Sequence, residues 1–151
     1  MRLLVQSGVQ QAKTPRSLNW LNTIRVMLAD PVILLVENDE LVRTFASECF
    51  RDTGLDVVEA ANGNDALRVL SSRRDIRAVF TEAFLPGKID GIEIAYRARE
   101  VHSNCVVAVT SGRGLPEREF AGGMHFLHKP YRAEIVAGFL WSEISKRITV
   151  D

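Results

Sequence analysis

The sequence predicts a doubly wound α/β domain, in which helices cover both faces of a five-stranded parallel sheet. Five short apolar runs, rich in β-branched residues, alternate with segments whose apolar residues recur at helical spacing. Several of these runs are apolar throughout, which is typical of strands buried on both faces of a parallel sheet. With 151 residues, the chain is long enough for one such domain with its own core.

The composition is that of a soluble globular protein and argues against two broad classes of function. Apolar residues make up 46% of the chain and charged residues 25%, and the formal net charge is zero. The chain has no basic excess that would favour nucleic-acid binding and no apolar run long enough for a membrane span. The two cysteines, Cys49 and Cys105, lack metal-ligand spacing, so we expect reduced thiols in a cytoplasmic protein.

Residues 1–30 differ from the rest of the chain and are predicted to form an N-terminal arm. The first half of the arm is polar and lacks periodicity. Residues 17–29 place apolar side chains such as Trp20 and Ile24 at helical spacing, which predicts a short helix. An alternative interpretation is that the natural chain begins at Met27.

The predicted domain, residues 31–148, begins with three strands and the two helices between them. "VILLVE" is an uninterrupted apolar run, and the helical segment after it carries two adjacent apolar stripes. One stripe holds Leu41, Phe45 and Cys49, and Gly54 is suited to end the helix. "LDVVEA" and "RAVFTE" repeat the strand pattern on either side of a second helical segment. The predicted strands are 32–37, 55–60 and 77–82, and the predicted helices are 39–54 and 64–74.

The second half of the domain continues the alternation. Asp90 is a suitable N-cap for a third helix, whose apolar face predicts burial of Ile94, Ala98 and Val101. "CVVAVT" and "MHFLHK" are two further strands, and the Gly-rich segment between them has room for only a short helix. The last helical segment keeps an apolar stripe in register from Val136 onward. The predicted strands are 105–110 and 124–129, and the predicted helices are 91–101, a short one within 111–123, and 131–148.

Polar residues end four of the five apolar runs. Glu37 and Asn38 follow the first strand, and Glu82 ends the third. Thr110 ends the fourth strand, and Lys129 lies in the fifth. Because the carboxyl ends of parallel strands meet at one edge of such a sheet, we expect these side chains to form one site. Acids, an amide, a hydroxyl and an ammonium together can bind a phosphoryl group or a divalent cation.

Each of these residues has a simpler interpretation when it is taken alone. Glu82 could cap a strand in water, and Lys129 could be a solvated surface side chain. Glu37 and Asp39 could be acids favoured by the dipole at the start of a helix. The three histidines have no metal-ligand spacing, so structural or solvated roles are favoured for them. The combination at four strand ends favours a shared site.

Four segments, taken together and in order, carry a specific resemblance: "LLVENDELVR", "FTEAFLPGKIDG", "AVTSG" and "FLHKPY". On these segments, the chain resembles a bacterial response-regulator receiver domain over about residues 31–148. The resemblance implies a flavodoxin-like sheet with strand order 2-1-3-4-5 and a cis peptide bond between Lys129 and Pro130. It also implies phosphorelay signalling, in which a strand-end Asp takes a phosphoryl group from a kinase histidine and an acid pair holds Mg²⁺. We therefore expect a signalling protein and not an enzyme.

The resemblance also implies a role for each polar strand-end residue. Carried over by position, the phosphoacceptor falls on Glu82, and the acid pair falls on Glu37 and Asn38. The hydroxyl and the lysine that bind phosphoryl oxygens fall on Thr110 and Lys129.

Further residues are implied outside this group. The backbone carbonyl of Phe84 is the remaining metal ligand, and the aromatic switch of the fifth strand falls on Phe126. Partner contact or a homodimer is expected through the face that the fourth predicted helix, the fifth strand and the fifth helix build. Arg118, Phe120 and Trp141 are the expected contact residues.

Two departures from the family pattern predict a pseudo-receiver, a receiver-like module with an altered site. Glu82 is one methylene longer than Asp, by about 1.3–1.5 Å, and a 1 Å misplacement can cost about a hundredfold in rate. Asn38 replaces a charged ligand with a neutral amide, so Mg²⁺ is expected to bind weakly or not at all. The charge of Glu82 could also mimic the phosphorylated state. That hypothesis predicts an active-like surface with Thr110 near Glu82 and Phe126 turned inward.

Other functions stay open at this point. The domain could still accept phosphate on Glu82 or Asp39, it could bind a flavodoxin-type cofactor or act as an enzyme, or it could be an interaction domain with a decayed site. No GxGxxG or P-loop motif supports the cofactor alternative. The expected partners are a histidine kinase, a phosphotransfer protein or a downstream signalling protein, with neither nucleic acid nor membrane. No output domain is expected after residue 148.

Overall fold

The computed structural model describes residues 29–114 and 123–148, and statements about the fold refer to these residues. The predicted N-terminal helix lies outside them, except for its last residue. The Gly-rich segment 111–123, expected to hold a short helix, is described only at residues 111–114 and 123, so most of it lies outside as well. The same is true of two expected contact residues, Arg118 and Phe120.

The central sheet has the predicted five parallel strands. Their order is β2-β1-β3-β4-β5, so the expected order 2-1-3-4-5 is confirmed. Each predicted strand bound differs from the observed one by at most one residue. The strands are β1 Val32–Val36, β2 Asp56–Ala60, β3 Ile76–Glu82, β4 Val106–Ser111 and β5 Met124–His128.

Four helices are described, and local capping accounts for several of their ends. The Asp39 carboxylate accepts the N–H groups of two residues in the first turn, at 2.9 and 3.0 Å. The Asp90 side chain accepts the N–H of Glu93 at 2.8 Å, so the expected cap is confirmed. Gly54 has a φ of +85°, a conformation that favours glycine just after a helix. The helices are α1 Glu40–Asp52, α2 Gly63–Ser72, α3 Gly91–Val101 and α4 Ala133–Ile148.

Two apolar cores lie on opposite faces of the sheet because side chains alternate along each strand. In β1, Ile33 and Leu35 face the layer that contains α1 and α4. Leu34 and Val36 face the layer that contains α2 and α3. All four side chains are almost completely buried, which is why this strand reads as an unbroken apolar run.

The structure selects between the two apolar stripes of α1 and corrects one prediction about α3. In α1, Leu41 and Phe45 are 82% and 62% exposed, whereas Ala46 and Phe50 are buried. A helix on a sheet buries about one stripe, and the Ala46–Phe50 stripe is the one that faces the core. In α3, Val101 is the last residue of the helix and is 40% exposed, so it lies outside the core.

Three other expectations concern a cis peptide bond, the two cysteines and membrane-spanning helices. The Lys129–Pro130 peptide bond is cis, as the resemblance implied. Cys49 and Cys105 are both free thiols, whereas the cytoplasmic location inferred from them stays a prediction. Within residues 29–114 and 123–148, no helix combines the length and apolar character needed to cross a membrane.

Candidate functional site

The polar residues predicted at the strand ends meet at one edge of the sheet. β1 and β3 are neighbours, and Val36 is paired with Thr81, so Glu37 and Glu82 extend beyond that pair side by side. On the other side of β3, Glu82 is paired with Thr110 of β4. The carboxyl ends of these parallel strands therefore place two acids and a hydroxyl within one small region.

The fifth strand completes the group and a cleft opens above it. Ser111 of β4 is paired with His128, and Lys129 follows directly, donating its N–H to the Ser111 carbonyl at 3.0 Å. The cleft has a volume of about 740 Å³. It is lined by Glu37, Asn38, Asp39, Glu82, Phe84, Leu85, Pro86, Gly87, Asp90, Ser111, Gly112, Arg113 and Lys129.

Glu37 is fixed by its own loop and by α1. Its backbone N–H donates to the Ala60 carbonyl at 3.1 Å, which ties it to the end of β2. Nη1 of Arg43 donates to the Glu37 carbonyl at 2.8 Å. The N–H of Asp39 donates to Oε1 of Glu37 at 3.0 Å, and the side chain of Glu37 is 4% exposed. The carboxylate is thus buried with one orientation, in which Oε2 faces Lys129.

The side chain and the backbone of Glu82 are also fixed by neighbouring residues, as those of Glu37 are. The N–H of Phe84 donates to Oε1 of Glu82 at 3.1 Å, and the side chain is 9% exposed. The start of α3 packs directly on its backbone, since a Cβ at Gly91 would lie 1.7 Å from the Glu82 carbonyl oxygen. The N–H of Gly91 donates to the Ala83 carbonyl at 2.9 Å, so glycine is needed here for a close approach.

Lys129 bridges the two acids. Its Nζ lies 2.8 Å from Oε2 of Glu37 and 2.7 Å from Oε2 of Glu82. Burial of the ammonium lowers the pKa of Lys129, but the hydrogen bonds with Glu37 and Glu82 outweigh burial and the pKa is raised. The ammonium therefore stays charged at neutral pH and partly neutralises the two buried carboxylates.

Thr110 lies beside Glu82 in the sheet, but its hydroxyl is not bonded to that side chain. Thr110 is 1% exposed, and its Oγ1 has no hydrogen-bond partner within residues 29–114 and 123–148. The Glu82 carboxylate turns instead to Lys129 and the Phe84 N–H. The hydrogen bond expected from the mimicry hypothesis is thus absent from this structure.

The residues expected to hold Mg²⁺ do not fit a divalent cation as they are arranged. Each oxygen of Glu37 and Glu82 already accepts a hydrogen bond or an ion pair. The Asp39 carboxylate caps α1, and Asn38 is an exposed neutral amide. Among the described residues, no group of three or more His, Cys, Asp or Glu side chains could hold a metal ion.

The expected switch and contact residues lie away from the cleft. The Phe126 ring is half-buried, packs on the core that faces α2 and α3, and meets the His128 ring edge-on at 4.6 Å. The Phe126 side chain is therefore turned partly toward the core, and its half-burial is consistent with the position of β5 at the edge of the sheet.

The side chain of Trp141 is turned toward α1, and its expected contact role stays a prediction. Its Nε1 donates to the Thr53 carbonyl at 3.0 Å, at the end of α1. Phe139, two positions earlier in α4, contacts the ring of His125 on β5. Positions two apart lie on nearly opposite sides of a helix, so Trp141 faces α1 and is turned away from β5.

Sequence reasoning missed an apolar groove beside the cleft, and it also missed Arg43. The two adjacent stripes of α1 were the available signal for the groove, since one of them had to stay outside the core. No pattern in the sequence pointed to Arg43. The groove has a volume of about 650 Å³ and is lined by Leu41, Val42, Phe45, Ala46, Gly112, Lys129, Pro130, Tyr131 and Ala133.

Comparisons with known proteins agree with this fold. The family model described as "Response regulator receiver domain" matches residues 33–137. A cyclic di-GMP phosphodiesterase of Thermotoga maritima is 30% identical over 108 residues, which cover 69% of this chain and 28% of that protein. The transcriptional regulatory protein AfsQ1 of Streptomyces coelicolor is 33% identical over 81 residues, 54% of this chain and 35% of that protein. The chain thus spans about a third of the length of these two relatives.

A shorter relative and two solved structures complete the comparison. Sporulation initiation phosphotransferase F of Bacillus subtilis is 29% identical over 103 residues, 66% of this chain and 82% of that protein. The receiver domain of the hybrid histidine kinase CckA superposes with a TM-score of 0.65 at 29% identity, covering 75% of this chain and 98% of that one. The receiver domain of an HD domain-containing protein from Pseudomonas fluorescens gives a TM-score of 0.69 at 21% identity, covering 78% and 97%, which shows the fold alone.

Proposed function

This chain belongs to the response regulator receiver domain family, and from that premise we propose that it is a pseudo-receiver whose signalling state does not depend on phosphorylation. Receiver domains act in two-component signalling, generally without enzymatic activity of their own. They interact with histidine kinases and phosphotransfer proteins, and they typically bind Mg²⁺ at the phosphorylation site. In this chain, Glu82 takes the position of the phosphoacceptor.

The observation that carries the proposal is that both carboxylate oxygens of Glu82 are already engaged. Oε2 is paired with Lys129 at 2.7 Å, and Oε1 accepts the Phe84 N–H at 3.1 Å. A nucleophile in phosphoryl transfer needs a free oxygen in line with the phosphorus. The longer side chain of Glu82 also displaces its oxygens from the place an Asp would give them. Both effects act against phosphorylation.

The same contacts support a signalling state that does not change with phosphorylation. They support only part of the hypothesis that Glu82 mimics the phosphorylated state. Glu82 supplies a permanent negative charge to Lys129, as a phosphoryl group would. It does not engage the Thr110 hydroxyl. A two-state switch responds only to contacts that differ between its inactive and active states. Here Lys129 is bonded to Glu82, as it would be to a phosphoryl group, but the Thr110 hydroxyl is not. This combination supports one partner-binding surface, intermediate between the two states.

The output of the module is protein contact through the groove next to the site. Leu41 and Phe45 expose large apolar side chains on α1, and Lys129 lines both the groove and the polar cleft. Exposed apolar patches of this kind mark interaction surfaces. A signalling partner that covers the groove would also cover the mouth of the cleft.

The test is incubation of the full chain with acetyl phosphate and Mg²⁺, followed by intact mass analysis. Wild type and the control variant Glu48→Asp, an exposed acid on α1, should gain no phosphoryl group. Glu82→Asp should gain one, because the shorter side chain leaves room for in-line attack. A phosphoryl adduct on Glu82 in wild type would overturn the proposal.

A second candidate is a receiver that still accepts phosphate. It is favoured by the buried hydroxyl of Thr110, which has no hydrogen-bond partner among the described residues and could bind a phosphoryl oxygen. Asp39 is a poor acceptor, because its carboxylate caps α1. Peptide mapping of any wild-type adduct would separate the two residues.

A further inference from the structure

A cavity of about 240 Å³ lies at the amino ends of β1 and β3, on the edge of the sheet opposite the polar cleft. Part of its apolar wall is the end of α4, where Ile144 is buried and Ile148 is half-buried. The cavity is lined by Ala29, Asp30, Pro31, Val32, Asp75, Arg77, Ile144 and Ile148. None of these residues lines the polar cleft or the apolar groove, so the cavity is separate from both.

We propose that residues 17–28 of this same chain occupy the cavity, with Ile24 and Leu28 placed against the end of α4. These residues lie outside the part of the chain that the structure describes. Ala29 and Asp30, which follow them directly, both line the cavity. The chain therefore enters the described domain at the cavity itself, and Leu28 needs no linker to reach it.

The spacing of the apolar side chains fits the end of α4. Ile24 and Leu28 are four residues apart, and so are Ile144 and Ile148. At the rise of an α-helix, each pair is separated by about 6 Å along the helix axis. If residues 17–28 form the helix that their periodicity predicts, one pair can therefore lie directly against the other.

The charges at the mouth of the cavity suit a basic segment. Residues 1–28 contain four Lys and Arg residues and no acid. The cavity is lined by two acids, Asp30 and Asp75, and by one base, Arg77. Asp75 is paired with Arg73 through hydrogen bonds of 2.9 and 2.6 Å, so Asp30 is the acid that the basic segment would meet.

The other end of the chain is a poorer occupant. Residues 149–151 also start from the cavity, because they follow Ile148, but Val150 is the one large apolar side chain among them. Residues 17–28 carry a stripe of apolar side chains that would otherwise form an exposed patch, and such patches are normally covered. The N-terminal segment therefore both fits the cavity and needs it.

The first experiment measures the melting temperature of the full chain. Leu28→Asp should lower it by about 4 °C or more, because the change places a charge in an apolar cavity. Leu4→Asp is the same change in the polar first half of the arm, and it should shift the melting temperature by less than about 2 °C. Equal melting temperatures of wild type and Leu28→Asp would overturn the inference.

A second set of variants identifies the surface that Leu28 contacts. In an Ile148→Ala background, the loss caused by Leu28→Asp should fall to about half or less, because the two side chains share one contact. In a Leu41→Ala background, at an exposed position of the apolar groove, the loss should be unchanged. A full loss in the Ile148→Ala background would overturn the inference. A loss that shrinks when the chain is diluted tenfold would mean that a second copy supplies the segment, and it would overturn the inference as well.

Wild type alone provides a test that needs no folded variant. In limited trypsin digestion followed by peptide mass analysis, cleavage after Lys13 should be at least about tenfold faster than cleavage after Arg25, because Arg25 lies within the docked segment. Equal cleavage rates would overturn the inference. Neither experiment involves phosphate, so each result is independent of the acetyl phosphate test.

Discussion

Trp141 of α4 donates its indole N–H to the backbone carbonyl of Thr53, at 3.0 Å, and so ties the last helix to the end of the first. The contact spans 88 residues of sequence. Next to it, the indole lies 3.7 Å from the place a Cβ would take at Gly54. The large aromatic side chain therefore closes the α1–α4 layer at the end away from the site.

We expect Trp141→Phe to lower the free energy of unfolding by about 1 kcal/mol, because it removes the donor to Thr53 and leaves a carbonyl less well bonded. Urea denaturation followed by circular dichroism measures the change. Ser142→Ala, at an exposed position of the same helix, should have little effect. Unchanged stability of Trp141→Phe would mean that the hydrogen bond is not maintained in solution.

The two phenylalanines of α1 should differ sharply when each is replaced by alanine. Phe50 is fully buried and lies 5.8 Å, ring to ring, from Phe80, so Phe50→Ala should cost about 3–5 kcal/mol. Phe45 is 62% exposed, so Phe45→Ala should stay within about 0.5 kcal/mol. Chemical denaturation of both variants is the measurement. Similar losses would show that the exposed stripe of α1 is covered in solution.

Two glycines should respond in opposite directions to alanine. Gly91→Ala would drive a methyl group into the Glu82 carbonyl, with 1.7 Å available, and should cost at least about 1–3 kcal/mol. Gly138 lies inside α4, and no described atom outside the adjoining helix backbone comes within 4 Å of the added Cβ. Gly138→Ala should therefore stabilise the protein by about 0.5–1 kcal/mol. Thermal unfolding compares them, and a stable Gly91→Ala would contradict the close approach of α3 to β3.

The two thiols should show low and unequal reactivity. Burial raises the pKa of Cys105 to about 12, and burial together with nearby acids such as Glu134 raises the pKa of Cys49. With iodoacetamide at neutral pH, Cys49 should react slowly and Cys105 only after denaturant is added. Peptide mass analysis identifies the modified thiol, and Cys105→Ala serves as the control. Rapid labelling of Cys105 in the native protein would show that this part of the core opens.

The phenol of Tyr131 should make stability fall at alkaline pH. Burial raises the pKa of Tyr131 from 10.0 to about 12, although Lys129 acts to lower it. A raised pKa favours the protonated form in the folded state, so this stabilisation is complete below pH 10 and is lost as the pH rises toward 12. Native wild type should show less phenolate absorbance at pH 11 than its unfolded form. Tyr131→Phe should abolish that part of the difference.

The sequence by itself determined the architecture. The unbroken run 32–36 and its counterparts required strands buried on both faces, and the helical segments between them required a parallel sheet. It also determined that Glu37, Glu82, Thr110 and Lys129 converge, because residues at the carboxyl ends of adjacent parallel strands must be neighbours. These conclusions depend on the local periodicity of apolar residues and on the order of strands and helices, and both can be read directly from the sequence.

Only the tertiary structure decided how those side chains are used. Glu82 turns to Lys129, and the Thr110 hydroxyl has no hydrogen-bond partner in the part of the chain that the structure describes. In α1, the stripe through Phe50 is buried while Phe45 stays exposed. Trp141 turns to α1. The physical reason is the same in each case: a side chain takes the orientation that its neighbours allow. Those neighbours come from strands and helices distant in sequence, and periodicity carries no information about which of two compatible faces or partners they select.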